Sequence, residues 1–338
     1  MITWFILIVL IILFVFLLKH GCCTKFEGFD SNQNTGPQSD SNQPVRFGIV
    51  SMMKRPDNIE HWFRHHRDMG ISRFYIRLEE TEDMEDWFRA QPDVVLTIGK
   101  SRGVNEYQDI QKRQGMMVTE ALANALADES LDWLIHMDAD ELLEGSLDAI
   151  GSLPESVRTC WMENEEAVYD GIPADSTCFQ AVRFRSCLQE NDMPCASYAN
   201  GKGAGRVAAD VEFGGPHRFR TKGKKEAKPN YGKKVKGLKI RHYESCNYGA
   251  YKAKFANLAN NDSSLNKSSL SESTLNKEIS LNKSSSKDKD KSLKQDNIPF
   301  SYYNEAIQAI QTGSDDTLEC VYTKFRTDQG GPDMNCFS

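Results

Sequence analysis

No other feature limits the possible folds as tightly as the alternation of strand-like and helix-like segments between Val45 and Asp140. Arg46–Ser51, Phe74–Leu78, Val94–Ile98 and Trp133–Met137 are short apolar runs of strand length. The first is followed by Pro56-Asp57, which predicts a helix start with Asp57 as N-cap and Glu60 in the capping-box position. Ile59, Trp62, Phe63 and His66 then fall at the i, i+3, i+4, i+7 spacing of one buried face, and Gly70 supplies the stop. On that face His66 reads as a core histidine. A helix around Glu85–Ala90 precedes the third strand, and a long one over about Glu106–Asp128, with Ile110, Met117, Ala121 and Leu122 on one side, precedes the fourth. Strands alternating with helices predict an α/β fold: a Rossmann-like, mostly parallel sheet flanked by helices, with right-handed crossovers. No GxGxxG follows the first strand and no GxxxxGK[ST] occurs anywhere, which disfavours a dinucleotide fold and excludes a P-loop.

The fourth strand ends in Asp138-Ala139-Asp140-Glu141, three carboxylates within four residues. Open α/β sheets bind ligands at the carboxyl ends of their strands. If the strand continued, Asp138 and Asp140 would face the same way and reach one cation. Hard divalent ions take oxygen ligands, and Mg²⁺ or Mn²⁺ commonly uses one or two carboxylates plus substrate phosphates. The same acids would also serve to cap a following helix. His136, alternating with its strand neighbours, reads as structural.

Beyond Leu143 the pattern is irregular. Ala181–Arg185 and Lys236–Ile240 look β-like. Between them lie two glycine-rich stretches with cations, Asn200–Arg206 and Gly214–Phe219. Glycines beside cations suit close backbone approach to an anion, and equally suit a solvated turn. His242-Tyr243-Glu244 follows the second β-like piece, and Tyr251–Leu258 looks helical. Asn260–Asn297 repeats Ser/Thr-Leu-Asn-Lys approximately and is too polar to pack, so a disordered insert is expected. It carries sequons at Asn261, Asn266 and Asn282, which matter only in a lumenal protein. Amphipathic helices are expected around Tyr302–Ile310 and Asp316–Arg326.

At the other end, Ile2–Leu18 is almost wholly apolar, just long enough for a bilayer core, with no cleavage signature. Thr24–Pro44 is Ser/Asn/Gln-rich and reads as a flexible stem. Lys19 and Lys25 follow the span, which by the positive-inside rule puts the body in the cytoplasm. Cys22 and Cys23 are juxtamembrane. The chain has nine cysteines but no CxxC, so a zinc knuckle is not expected. Cys178, Cys187 and Cys195 can form a disulfide if their region is lumenal, though spacing assigns no partners. A net charge of −7 gives no nucleic-acid footprint. The expected layout is therefore an anchor at 1–18, a stem at 19–44, a catalytic domain at 45–258, an insert at 259–297 and a C-terminal helical part at 298–331.

Several blocks then occur in an ordered series. They are Asn58 with Glu60-His61-Trp62-Phe63-Arg64-His65-His66, Gly70-Ile71 and Phe74-Tyr75-Ile76; then Asp132-Trp133 with Asp138-x-Asp140-Glu141-Leu142-Leu143; then Gly215–Phe219, His242–Cys246 and Ile298-Pro299-Phe300. The series resembles the family-2-like glycosyltransferases related to glycosyltransferase family 92. That resemblance implies a GT-A fold, Mn²⁺ (or Mg²⁺) as cofactor, a nucleotide-sugar donor such as a UDP-sugar, and transfer with inversion to a glycan, glycoprotein or glycolipid acceptor. It also implies a single-pass Golgi or endomembrane protein with a lumenal body, against the local charge bias. Relatives commonly carry an Asp-Asn-x-Ser type loop after the second strand, where this chain has Leu78-Glu79-Glu80-Thr81-Glu82.

The residues fit such chemistry. Charge develops on a diphosphate leaving group, so a metal and cations beside it lower the barrier. Asp138 and Asp140 are the expected metal ligands, joined by His242. Lys202, Arg206, Arg218 and His217 are candidates for the phosphates or acceptor; Glu79 or Glu80 suits base or ribose and equally a solvated acidic turn; Arg113 with Gln114 suits the donor, but an exposed helix surface suits that pair better. An inverting base is sought among Glu190, Asp192, Asp210 and Glu212, with Asp192 and Glu212 carried forward. The contrasting expectations are an inactive carbohydrate- or metal-binding membrane protein and, more distantly, a nucleotidyltransferase.

Overall fold

The computed structural model describes residues 44–100, 107–169, 178–181, 183–186, 200–223, 232–245, 247–265, 298–327 and 334–337. The chain divides into two compact units, Met1–Pro44 and Val45–Ser338. Only the second is described below. The expected anchor at 1–18 and the stem up to residue 43 lie outside the described residues. Among the described residues no helix is long and apolar enough to cross a membrane.

The first half of the body alternates as its pattern predicts. β1 (Phe47–Met53), α1 (Ile59–Asp68), β2 (Ile71–Glu79), α2 (Glu85–Arg89), β3 (Val94–Gly99), α3 (Tyr107–Ala127) and β4 (Trp133–His136) follow one another. The four strands pair in the order β3-β2-β1-β4, all parallel. Period-two alternation sorts their side chains into two layers. Phe47, Ile49, Phe74, Ile76, Trp133 and Ile135 pack with Trp62 and Phe63 of α1 and Phe88 of α2. Val50, Tyr75 and Leu134 pack with Met117, Val118, Ala121, Leu122 and Ala125 of α3. The helices thus lie on opposite faces, and the chain changes direction between β1 and β4. In an open α/β sheet the crevice at such a reversal, beyond the strands' carboxyl ends, is where ligands bind.

α1 begins differently from expectation. Asn58, not Asp57, is its N-cap, in a left-handed conformation with φ 46°. The Asp57 carboxylate instead accepts a 3.0 Å hydrogen bond from the Cys178 amide, so a tertiary contact takes the oxygen a cap would use. The expected face holds: Ile59, Trp62, Phe63 and His66 are buried. Trp62 donates its indole N–H to the Glu141 carbonyl at 2.8 Å, which ties α1 to the chain just past β4. Removing so large a buried ring typically costs about 3–5 kcal/mol.

The second half of the sheet mixes strand directions. Beyond β4 come β8 (Lys202–Arg206), β6 (Thr159–Val168), β11 (Lys233–His242) and edge strand β5 (Glu141–Gly145), with β7 (Arg183–Ser186) also on β6. β8 runs antiparallel to both β4 and β6, and β6 runs parallel to β11. The glycine-and-cation stretch at 202–206, expected as a loop, is thus a central strand. Its glycines serve close packing: a Cβ on Gly203 would stand 2.8 Å from the Arg218 Cα, and one on Gly205 would stand 2.6 Å from the Phe219 ring. Both neighbours belong to the hairpin of β9 (Val211–Gly215) and β10 (Arg218–Thr221).

After the short α4 (Asp148–Gly151), three helices complete the body: α5 (Tyr248–Leu265), α6 (Ile298–Thr312) and α7 (Asp315–Arg326). α5 runs past residue 259, where the insert was expected to begin, and residues 266–297 lie outside the described set. Tyr251, Phe255, Ala306, Ala309, Leu318 and Val321 form a core of their own. The Ser314 hydroxyl caps α7 by accepting from the Thr317 amide at 3.1 Å. A disulfide joins Cys320 of α7 to Cys336, and Cys178 is disulfide-bonded as well. Cys160 is a buried free thiol, pushed up to about 12 by burial.

Candidate functional site

β4 does not continue through the acidic triplet. After His136 the chain turns, with the Glu141 amide donating to the Asp138 carbonyl at 3.3 Å, and re-enters the sheet as β5 at its far edge. The acids therefore cross the carboxyl ends of the strands instead of lying on one. The crossing is pinned at each end. The Met137 amide donates to the Val50 carbonyl of β1 at 3.1 Å, and the Tyr243 amide, just past β11, donates to the Asp140 carbonyl at 2.8 Å. Asp138 and Asp140 thereby reach different neighbours.

Asp138 meets Lys202. Because β8 is antiparallel to β4, with Ala204 opposite Ile135, its first residue lies at the level of the acidic turn. The fully buried Lys202 ammonium stands 2.5 Å from Asp138 Oδ2 and 3.5 Å from Glu141 Oε1. Glu141, also fully buried, accepts the Asp138 amide at 2.8 Å. Burial pushes the Asp138 carboxyl up, but Lys202 and then His136 outweigh it and hold the group well below the usual range. Burial raises the Glu141 carboxyl despite Lys202. Gly201 makes the position of Lys202 possible. Its φ is +61°, and a Cβ there would stand 1.8 Å from the Met162 carbonyl oxygen. His217, in the hairpin turn, hydrogen-bonds the Gly201 carbonyl through Nδ1 at 2.9 Å. Burial and then Lys202 push His217 down to about 3, and the same causes push His136 to about 4, so both are neutral.

Asp140 meets His242, the last residue of β11. His242 Nε2 stands 3.6 Å from Asp140 Oδ2, and its Nδ1 stands 3.7 Å from Glu166 Oε1. Burial lowers the imidazole's affinity for a proton, but Asp140 and Glu166 outweigh it and push it up to about 10. Among the described residues no group of three or more His, Cys, Asp or Glu side chains is arranged to hold a metal. The donor pair of one carboxylate and one imidazole still suits an ion of the Mg²⁺ or Mn²⁺ kind. Such ions rarely sit in all-protein cages and complete their shells with substrate phosphate and water.

Other expected residues occupy distinct places. Glu79, at the carboxyl end of β2, is buried between Arg77, at 2.7 Å, and Arg113 of α3, with which it forms an ion pair. Sequence reading named Glu79 and Arg113 separately; the fold joins them, and burial followed by Arg77 lowers the Arg113 guanidinium. Gln114 is buried beside Arg113, not on an exposed helix surface. Glu80 has φ 47° and pairs with Lys54 at 2.5 Å. Arg218 donates to the Gly214 carbonyl within the hairpin at 2.8 Å. Arg206 is not brought to this edge. It lies opposite Trp133, at the start of β4, with its guanidinium 4.6 Å from that ring and bonded to the carbonyls of Leu153 and Val157. Glu212 is on the hairpin, paired with Arg220 at 2.7 Å, while its neighbours Val211 and Phe213 pack towards α3. Asp210 pairs with Arg158 at 3.3 Å. Glu190 and Asp192 lie outside the described residues.

Sequence reading missed Glu141 as a partner of Lys202, and missed Glu166 and Arg326 behind His242. A signal for Glu166 exists. Cys160, Met162, Asn164 and Glu166 alternate along β6 and are all buried, so an inward face running into a carboxylate is written in the sequence.

The chain matches no protein-family model and no curated protein. Among solved structures it is similar to HddC from Yersinia pseudotuberculosis, with TM-score 0.25 and 10% identity over 36% of this chain and 60% of that one. It is also similar to a CMP:2-keto-3-deoxy-manno-octonic acid synthetase complexed with CTP, with TM-score 0.22 and 12% identity over 36% and 53%. A third is the homolog of Mycobacterium tuberculosis rv0371c from Mycobacterium sp. strain JC1, with TM-score 0.23 and 11% identity over 37% and 67%. The matches thus span between about half and two thirds of those chains. Likeness so slight has no bearing on activity, and it does not place the chain in the family 92 group that its motifs resemble.

Proposed function

We propose that this protein is a metal-assisted glycosyltransferase that takes a nucleotide-sugar donor, in keeping with a UDP-sugar, and moves the sugar with inversion to a hydroxyl of a glycan, glycoprotein or glycolipid. One observation carries the reading. Asp138, Asp140, Lys202 and His242 converge on the carboxyl edge of a parallel 3-2-1-4 sheet, beside its crossover. That edge is where such sheets take nucleotides.

In this reading Asp140 and His242 hold Mn²⁺ or Mg²⁺, which neutralises the leaving diphosphate when bound. Lys202 fixes Asp138 and supplies positive charge close to the phosphates, in a buried setting where charge is worth more than in water. Arg113, fixed by Glu79, lies on the nucleoside side at the end of β2. His217 and Arg218 sit on the hairpin turn against the Lys202 strand, within reach of donor or acceptor. Glu212 and Asp210, each already paired with arginine on the outside of the body, are poor candidates for the base. Asp192 and Glu190 remain candidates. The disulfides fit an oxidising compartment, and with it a lumenal body on an N-terminal anchor.

The test is a panel of nucleotide sugars with Mn²⁺, scored for nucleoside diphosphate release. Release that depends on Asp140 supports the reading. Pyrophosphate release from nucleoside triphosphates instead would make the protein a nucleotidyltransferase. Binding without turnover of any donor would make it a non-catalytic binding protein.

A further inference from the structure

Behind His242 lies a buried ionic chain that the reaction as described does not use. The Glu166 carboxylate is 1% exposed and presents one oxygen, Oε1, to His242 Nδ1 at 3.7 Å. Its other oxygen lies 3.5 Å from NH1 of Arg326, which is fully buried. Arg326 is the last residue of α7. It also reaches the Tyr169 hydroxyl at 3.3 Å and the Glu244 carbonyl, and its own carbonyl accepts the Tyr169 amide at 2.9 Å. The C-terminal helix thus delivers a guanidinium across 160 positions to the inner face of β6.

A buried ion pair is poor value for stability alone, because an apolar pair of similar volume usually serves as well or better. Its direction is informative here. The two imidazole nitrogens face different carboxylates, Nε2 towards Asp140 and Nδ1 towards Glu166. Metal-bound histidines commonly donate their second N–H to a carboxylate, which fixes both tautomer and ring orientation. Building on the reading that Asp140 and His242 hold the divalent ion, we propose that Glu166 and Arg326 are positioning residues. Glu166 fixes Nε2 as the ligating nitrogen, and Arg326 holds Glu166 against the ring.

The experiment measures Mn²⁺ affinity by the EPR signal of free Mn²⁺, alone and with uridine diphosphate, on the full chain. His242→Ala is the reference and should weaken Mn²⁺ about tenfold. Glu166→Gln and Arg326→Gln should each weaken it about tenfold, the low end for such supporting groups, whereas Arg326→Lys should stay within about threefold of wild type. On the His242→Ala background, Glu166→Gln should then change affinity by less than about twofold, since coupled residues are non-additive. A purely structural role would give the same loss on both backgrounds, and that result overturns the proposal. So does wild-type affinity in Glu166→Gln, while His242→Ala still weakens binding. If His242→Ala binds Mn²⁺ like wild type, the assignment of His242 as a ligand fails, and the proposal fails with it. Should Arg326→Gln not fold, Glu166→Gln and Arg326→Lys decide.

Discussion

Lys202→Met removes the one charge that the Asp138–Glu141 turn shares, and its cost can be worked from burial. Asp138 keeps about a third of its side chain exposed (35%), so water compensates most of its loss. Glu141 has no exposed surface, and its Lys202 contact is 3.5 Å. The cost therefore falls on Glu141. Breaking a buried pair by removing one partner costs about 3–5 kcal/mol. Glu141 can recover part of this by taking a proton, because burial already raises its carboxyl. We expect a loss near the lower end, about 3 kcal/mol. Urea unfolding followed by tryptophan fluorescence reads it, since Trp62 and Trp133 are fully buried. Lys202→Met/Glu141→Gln should regain most of the loss, because the glutamine carbonyl can still accept the Asp138 amide and the buried carboxylate charge at 141 is gone. A Lys202→Met protein within about 1 kcal/mol of wild type, the range of ordinary surface changes, would refute the reasoning. So would a double variant weaker than the single.

Gly201→Ala should prevent the native fold or cost more than about 4 kcal/mol, because strain at φ +61° adds to a collision with the Met162 carbonyl; soluble yield and urea midpoint check it. His66 donates from Nδ1 to the Trp62 carbonyl and accepts the Leu143 amide at Nε2, and burial followed by His65 pushes it down to about 3. Its unfolded form binds a proton near 6.5, so below that pH the unfolded state binds more protons and stability falls as pH falls towards 3, by up to about 1.4 kcal/mol per pH unit. Urea midpoints of His66→Gln between pH 7 and 5 should fall less steeply than those of wild type, and an equal slope contradicts the assignment. Opening the Cys320–Cys336 loop, a separation of 16, by Cys336→Ser should cost about 3 kcal/mol, and a peptide pair linking Cys320 to Cys336 in a non-reducing digest of the wild type, lost on reduction, would establish the bond.

Legibility in the sequence followed how local each signal is. The β1-to-β4 half could be read because its information is local: a near-continuous buried run along Phe47–Met53, the 3.6-residue face of Ile59–His66, and an apolar strand ending in acids. Lys202 and His242 were legible as residues but not as partners, because the antiparallel entry of β8 and the parallel end of β11 set their neighbours. The Lys202–Arg206 strand was hidden by glycines, which a propensity reading takes for a loop and which here let the β9–β10 hairpin approach. Arg206 illustrates the same point: in an antiparallel strand, four residues beyond Lys202 is the opposite end of the sheet. Arg326 was least legible, since an arginine in the last turn of a helix ordinarily complements the helix dipole in solvent. Here that turn is buried against β6.

The central claim is that the turn joining β4 to β5 holds a diphosphate through a divalent ion. It is tested most directly by calorimetric titration of uridine diphosphate, with and without Mn²⁺, into wild type and Asp140→Asn. The account predicts binding to wild type that needs Mn²⁺, and at least about tenfold weaker binding to Asp140→Asn, or about 1.4 kcal/mol, in a protein that still unfolds cooperatively in urea. Equal affinity in the two proteins, or binding indifferent to Mn²⁺, would contradict it.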